Sequence, residues 1–192
     1  PIRTDAFMIG MVSRMTDQKG FDLVDCMLDE MLGELDIQIV VLGTGEERYE
    51  NMFRYFQNKY PDKLSAYIGY SEEQAHKIYA ACDAFLMPSL FEPCGLSQMM
   101  AMRYGTIPIV RETGGLKDTV VAYNEFENTG NGFSFQNYNA HEMYHVIKYA
   151  YDVYQNRPKE WNGLMERAMD IDFSWNVPAK EYEKLYDSII TK

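Results

Sequence analysis

Cysteine is scarce in this sequence. Its three residues, Cys26, Cys82 and Cys94, are an odd number at wide spacing, which gives neither a disulfide framework nor a zinc-ligand pattern. A reducing, cytoplasmic setting is then the default. Histidine is equally sparse. His141 and His145 lie four apart on an expected helix, but with no third ligand beside them the spacing describes a solvated face rather than a metal site. No apolar run approaches the roughly 20 residues of a membrane span, and no charged-then-apolar leader opens the chain, so no membrane partner is expected. Positive charge is also short. Eighteen Lys and Arg against 29 Asp and Glu give a net charge of −11, the wrong balance for the basic face that binds nucleic acid. Against that background a phosphate-bearing ligand would need a local cluster of cations.

What is present is a chain able to fold. Hydrophobic residues make up 46% of 192, enough for one α/β domain with its own core. Short apolar runs at 6–12, 36–42, 64–68, 83–87 and 106–110 alternate with stretches of helical period. In the second of these helices Tyr49, Met52, Phe53 and Phe56 share one face. Ser71, three residues before Gln74, is placed to cap a third helix. Residues 132–135 form a candidate sixth strand, and from 140 onward the pattern is helical, with breaks near Pro158 and around 172–174. Strands alternating with helices predict a parallel sheet covered on both faces, a doubly wound Rossmann-like domain. In such sheets ligands bind beyond the carboxyl ends of the strands, which selects five connections for inspection.

The first connection, 13–20, carries Arg14 and Lys19 between strand and helix. Either they are two solvated cations, or a guanidinium and an ammonium meet a diphosphate there together with helix N–H groups. The second holds Gly43 and Gly45, either a tight turn or a close approach of backbone to ligand; the third glycine of a dinucleotide fingerprint would fall at Arg48, so no NAD site is indicated. The third presents Tyr70, a structural tyrosine or a stacking platform for a base. In the fourth, Glu92 precedes a proline and is therefore held out of the helix. Gly95, Leu96 and Ser97 then open a helix whose free N–H groups suit phosphate. Glu92 either caps that helix or receives sugar hydroxyls. Cys94 has no histidine with it and reads as packing rather than as a nucleophile. The fifth, with Thr113, Gly114 and Gly115, is either a plain loop or a second wall of the same pocket.

Three segments, VSRMTDQKGFDL (12–23), FEPCGLSQMMAMRYGTIPIV (91–110) and TGGLKDTV (113–120), together with the closing FSWNVPAKEYEKLY (173–186), resemble the signatures of the bacterial glycogen synthase and plant starch synthase family, in order and along the whole chain. The resemblance implies the C-terminal half of a GT-B fold, with residues 1–172 as the nucleotide-sugar-binding domain and 173–192 as a helix reaching toward an N-terminal domain that holds most of the α-glucan site. It implies transfer of glucose from ADP-glucose, or UDP-glucose, to the non-reducing end of an α-1,4-glucan with retention and no metal or other cofactor, in bacterial cytoplasm or in a plastid. Arg14 and Lys19 then resemble the pair that holds the diphosphate and stabilises the leaving group, and Glu92 the glutamate that contacts the donor glucose. By the same likeness Tyr70 stacks on adenine. Gly95, Leu96 and Ser97 donate backbone N–H groups to phosphate, and Thr113, Gly114 and Gly115 line the sugar end. Met100 stands where many other retaining GT-B enzymes have a second glutamate, eight residues after the first, which favours this family over its sisters. The alternatives are another retaining GT-B transferase or a binding module without catalysis. Exposed apolar side chains at Leu185, Tyr186 and Ile189, and self-association through them, are expected of this chain on its own.

Overall fold

The computed structural model describes residue 3 and residues 5–190. Six strands, β1 (Phe7–Val12), β2 (Ile37–Gly43), β3 (Leu64–Ile68), β4 (Ala84–Met87), β5 (Ile107–Arg111) and β6 (Phe133–Phe135), form one sheet in the order β3-β2-β1-β4-β5-β6. Every pairing is parallel, with Phe7 opposite Ile37 and Ile9 opposite Ala84. Eight helices connect or follow them: α1 (Phe21–Glu34), α2 (Glu47–Lys59), α3 (Glu72–Ala81), α4 (Ser97–Arg103), α5 (Gly114–Thr119), α6 (Ala140–Asn156), α7 (Pro158–Asp170) and α8 (Asn176–Ile190). The doubly wound Rossmann-like reading is therefore correct, and the candidate sixth strand is real.

The sheet is covered on both faces, as its near-continuous apolar strands require. On one side Phe7, Ile9, Met11 and Ile39 join α1, α2, α6 and α7 in a large core, where the Phe7 ring meets Trp161 edge-on at 5.5 Å. On the other, Leu42 and Phe85 pack with Ala75, Ile78, Tyr79 and Cys82 of α3 and its cap and with Ala101 of α4. Burial pushes the Cys82 thiol up to about 12, so this cysteine is an apolar filler. In α2 the buried residues are Tyr49, Met52, Phe53 and Phe56, and Ser71 Oγ accepts the Gln74 N–H at 3.2 Å to start α3, both as the sequence indicates. Of the three residues expected to open α4, only Ser97 lies within it, with Leu96 as its cap and Gly95 before that.

This strand order reverses direction between β1 and β4. The chain moves outward through β2 and β3, then returns to lay β4 against β1. At that reversal the connections after β1 and β4 leave in diverging directions and open a crevice at their carboxyl ends. α8 has no buried residue, and Leu185, Tyr186 and Ile189 are more than half exposed, the exposed apolar surface expected at this end. No helix among the described residues is long and apolar enough to cross a membrane.

Candidate functional site

The two connections that flank the crevice are joined to each other. Leu90 N–H donates to Gln18 O at 2.9 Å, and Gln18 Nε2 returns a bond to Phe91 O at 3.2 Å. Gly20 makes this possible. It has φ of 76°, and a Cβ there would lie 2.1 Å from Pro88 O, so only glycine fits. The short 3-10 turn Asp17–Lys19 that precedes it aims Lys19 at the β4 connection. There Lys19 Nζ meets Glu92 Oε2 at 2.6 Å, with only 16% and 10% of the two side chains exposed. Ser89 Oγ donates to the same carboxylate oxygen at 3.3 Å. The first and fourth connections thus bring together the ammonium and the carboxylate that the sequence places 73 residues apart.

On the other side of Ser13 a cavity of about 360 Å³ opens between the ends of β1, β2 and β3 and the start of α4, lined among others by Arg14, Gly43, Tyr70, His76, Leu96 and Ser97. Arg14 is exposed and makes no ion pair with another described residue. Tyr70 is 85% exposed, which rules out the structural tyrosine and leaves a ring free to stack. Tyr79 closes the floor. Its hydroxyl donates to Ser97 Oγ at 3.2 Å, and burial raises its pKa, so it stays a neutral donor. Val12 and Ser13 line both this cavity and the small hollow beside Lys19. A larger hollow of about 590 Å³ lies beyond α4, against the α7–α8 connection, away from these cations.

The glycines of the second and fifth connections also hold the loops against one another. A Cβ on Gly43 would lie 2.0 Å from Ser13 O, so the turn after β2 clasps the β1 connection. Gly115 N–H donates to Glu92 O at 3.1 Å, and a Cβ on Gly115 would lie 1.9 Å from Cys94 O. A Cβ on Gly114 would lie 2.1 Å from Glu92 O. Gly114 and Gly115 therefore seat the Glu92 loop from behind, and Thr113 precedes them as the extended cap of α5. Gly95 takes φ of 72° at the turn into α4, and its carbonyl receives Gln98 Nε2 at 2.8 Å.

Three supporting residues were not singled out from the sequence. Arg111, at the end of β5, donates through Nη1 to Leu90 O at 2.8 Å and Ser89 O at 3.2 Å, with its guanidinium over the Tyr138 ring. Ser89 touches Glu92 directly. Gln98 is fully buried and ties Gly95 to Thr119 Oγ1 of α5. Ser89 and Gln98 flank Glu92 within one motif, a signal that was available. Arg111 carries no comparable signal, because a cation at a strand end is common. Among the described residues no three His, Cys, Asp or Glu side chains are grouped to hold a metal ion.

Comparison with known proteins places this crevice in context. The sequence family described as glycosyl transferases group 1 matches residues 1–162. Glycogen synthase of Lachnospira eligens is 67% identical over 183 residues, covering 95% of this chain and 38% of that protein. Glycogen synthase of Streptococcus mutans is 54% identical over 189 residues, covering 98% of this chain and 40% of that protein. The chain therefore spans about two-fifths of the length of these relatives. Among solved structures, the catalytic domain of starch synthase IV from Arabidopsis thaliana, bound to ADP and acarbose, superposes with a TM-score of 0.89 at 36% identity, over 99% of this chain and 40% of that one. With the Rossmann-like sheet of a GT-B half, loops converging at its switch point and a family match over most of its length, the chain belongs to the group 1 glycosyl transferases.

Proposed function

We propose that this chain is the donor-binding domain of a glycogen or starch synthase, and that it binds ADP-glucose, or UDP-glucose, for transfer of glucose to the non-reducing end of an α-1,4-glucan. The observation that carries the reading is the meeting of Lys19 with Glu92 beside the cavity that holds Arg14 and Tyr70. An apolar slot with an exposed ring suits a base, two cations suit a diphosphate, and a carboxylate at the far end suits sugar hydroxyls. The high identity to glycogen synthases and the ADP bound to the starch synthase structure support it.

In this scheme the glucose C1–O bond to the β-phosphate breaks as C1 bonds the acceptor 4-oxygen on the same face, and the acceptor proton passes to the departing phosphate. Charge grows on the diphosphate and on the sugar ring in opposite senses. Arg14 and Lys19 stabilise the first and Glu92 the second, each more strongly in the transition state than before it. Met100 occupies the position eight residues after Glu92, so the side chain there cannot serve as the second carboxylate of a double displacement. The acceptor glucan is held mainly by the N-terminal domain.

Calorimetric titration with ADP tests the binding step. Tyr70→Ala is expected to weaken ADP binding by about 1–3 kcal/mol, the stacking contribution of one base, while leaving the fold intact because the ring is 85% exposed. The chain alone is expected to incorporate no glucose into glycogen, whereas the complete protein does so from ADP-glucose or UDP-glucose. A complete protein inactive with both donors overturns the reading.

A further inference from the structure

The Lys19–Glu92 contact carries more than proximity. Among the described ion pairs it is the least exposed, at 16% and 10%, whereas the others leave at least one partner a third or more in solvent. Solvent and salt screen such a pair poorly, so its two charges are felt locally as a near-neutral unit. Arg14, by contrast, makes no ion pair with another described residue and lines the neighbouring cavity. An incoming diphosphate therefore meets one uncompensated cation and one that is already satisfied.

We propose that Glu92 is an internal counter-anion for Lys19, and that it lowers the affinity of the unreacted site for the nucleoside diphosphate. Arg14 anchors the diphosphate in the ground state. Lys19 remains shared with Glu92 until negative charge builds on the departing phosphate and draws the ammonium over. Glu92 then faces the sugar, where positive charge has developed. One ion pair thus keeps Lys19 from tightening ground-state binding, which would add nothing to turnover at saturating donor, and reserves it for the reacting complex. It also keeps the nucleoside diphosphate product from being held too tightly. This inference rests on the donor-site reading above.

The test is a double-mutant cycle on ADP binding, measured by calorimetry with adenosine as the neutral control. Glu92→Gln keeps the side-chain shape and an oxygen for Lys19 but removes the charge. It is expected to bind ADP roughly 5- to 20-fold more tightly than the wild type, the scale of one like charge several ångströms from the phosphates at an effective dielectric near 20, with adenosine affinity unchanged. Lys19→Gln combined with Glu92→Gln is expected to bind ADP within about threefold of the wild type, because the pair is then removed as a near-neutral unit. Lys19→Gln alone leaves Glu92 uncompensated and Arg14→Gln removes an unpaired cation, so each is expected to lose about tenfold in ADP affinity. A Glu92→Gln protein that binds ADP no better than wild type overturns the counter-anion role. So does a tenfold loss in the double variant, a measurement that stands even if the single Glu92 variant fails to fold. Wild-type protein that binds neither ADP nor adenosine overturns the donor-site reading itself, and this inference with it.

Discussion

Lys19→Ala in the complete enzyme is expected to reduce turnover at saturating donor by about 100- to 1000-fold, the cost of removing one preorganised donor to developing negative charge. Two effects act in the same direction. The departing diphosphate loses the ammonium that is aimed into the crevice by the Asp17–Lys19 turn. Glu92 also loses its 2.6 Å partner and is left as a buried carboxylate that, among the described residues, keeps only Ser89 as a side-chain partner, free to swing away from its proposed place at the sugar. Because Lys19 is paired before the ligand arrives, the larger loss should fall on kcat, with the KM for donor rising by no more than about tenfold as Glu92 is left uncompensated. Initial rates across a range of ADP-glucose concentrations separate the two. A variant with normal kcat and raised KM would show that Lys19 binds the substrate and does not act on its leaving group.

Gly115→Ala is the second substitution with a large expected effect. The added methyl carbon would sit 1.9 Å from Cys94 O, with the rest of the Cys94 peptide within 2.6 Å. These are backbone atoms, so no side-chain rotation relieves the clash. The loop from Glu92 to Cys94 must move, and the Gly115 N–H bond to Glu92 O at 3.1 Å goes with it. Overpacking of this kind costs about 1–3 kcal/mol, readable as a lower urea midpoint. A displacement of about 1 Å in the group proposed to contact the reacting sugar can cost a further hundredfold in rate. Gly33→Ala is the control: in α1 its new carbon would meet only the Tyr60 hydroxyl oxygen, at 3.8 Å, and a helix gains from the exchange. If Gly115→Ala melts like Gly33→Ala and turns over normally, the glycine pair does not seat the catalytic loop.

Much of this arrangement was legible beforehand because a parallel sheet buried on both faces forces apolar runs of strand length. Residues 36–42 form such a run, whereas 64–68, partly exposed in the edge strand β3, give a weaker signal. Once the alternation is fixed, the rule of binding at carboxyl ends selects the loops, and Arg14, Lys19 and Glu92 fall within them. What the sequence could not give were contacts between loops. Gly43, Gly114 and Gly115 each invite the inference that a ligand comes close to the backbone. In the folded chain the close neighbour is another loop, at Ser13, Glu92 and Cys94. A glycine shows only that something approaches. Arg111 was passed over for the converse reason: its role is to donate to the carbonyls of Ser89 and Leu90, and carbonyls leave no trace in a sequence. Pairing of Lys19 with Glu92 lies between these cases, since both residues were marked but nothing in their separation required them to touch.

The last helix has a thermodynamic consequence. A 15-residue segment with no buried side chain is near the length at which an isolated helix is barely stable in water, and it adds little to the heat absorbed when the sheet and its flanking helices come apart. The cooperative melting unit of this chain therefore ends with α7, and Tyr182, Leu185 and Ile189, each more than half exposed, contribute little to it.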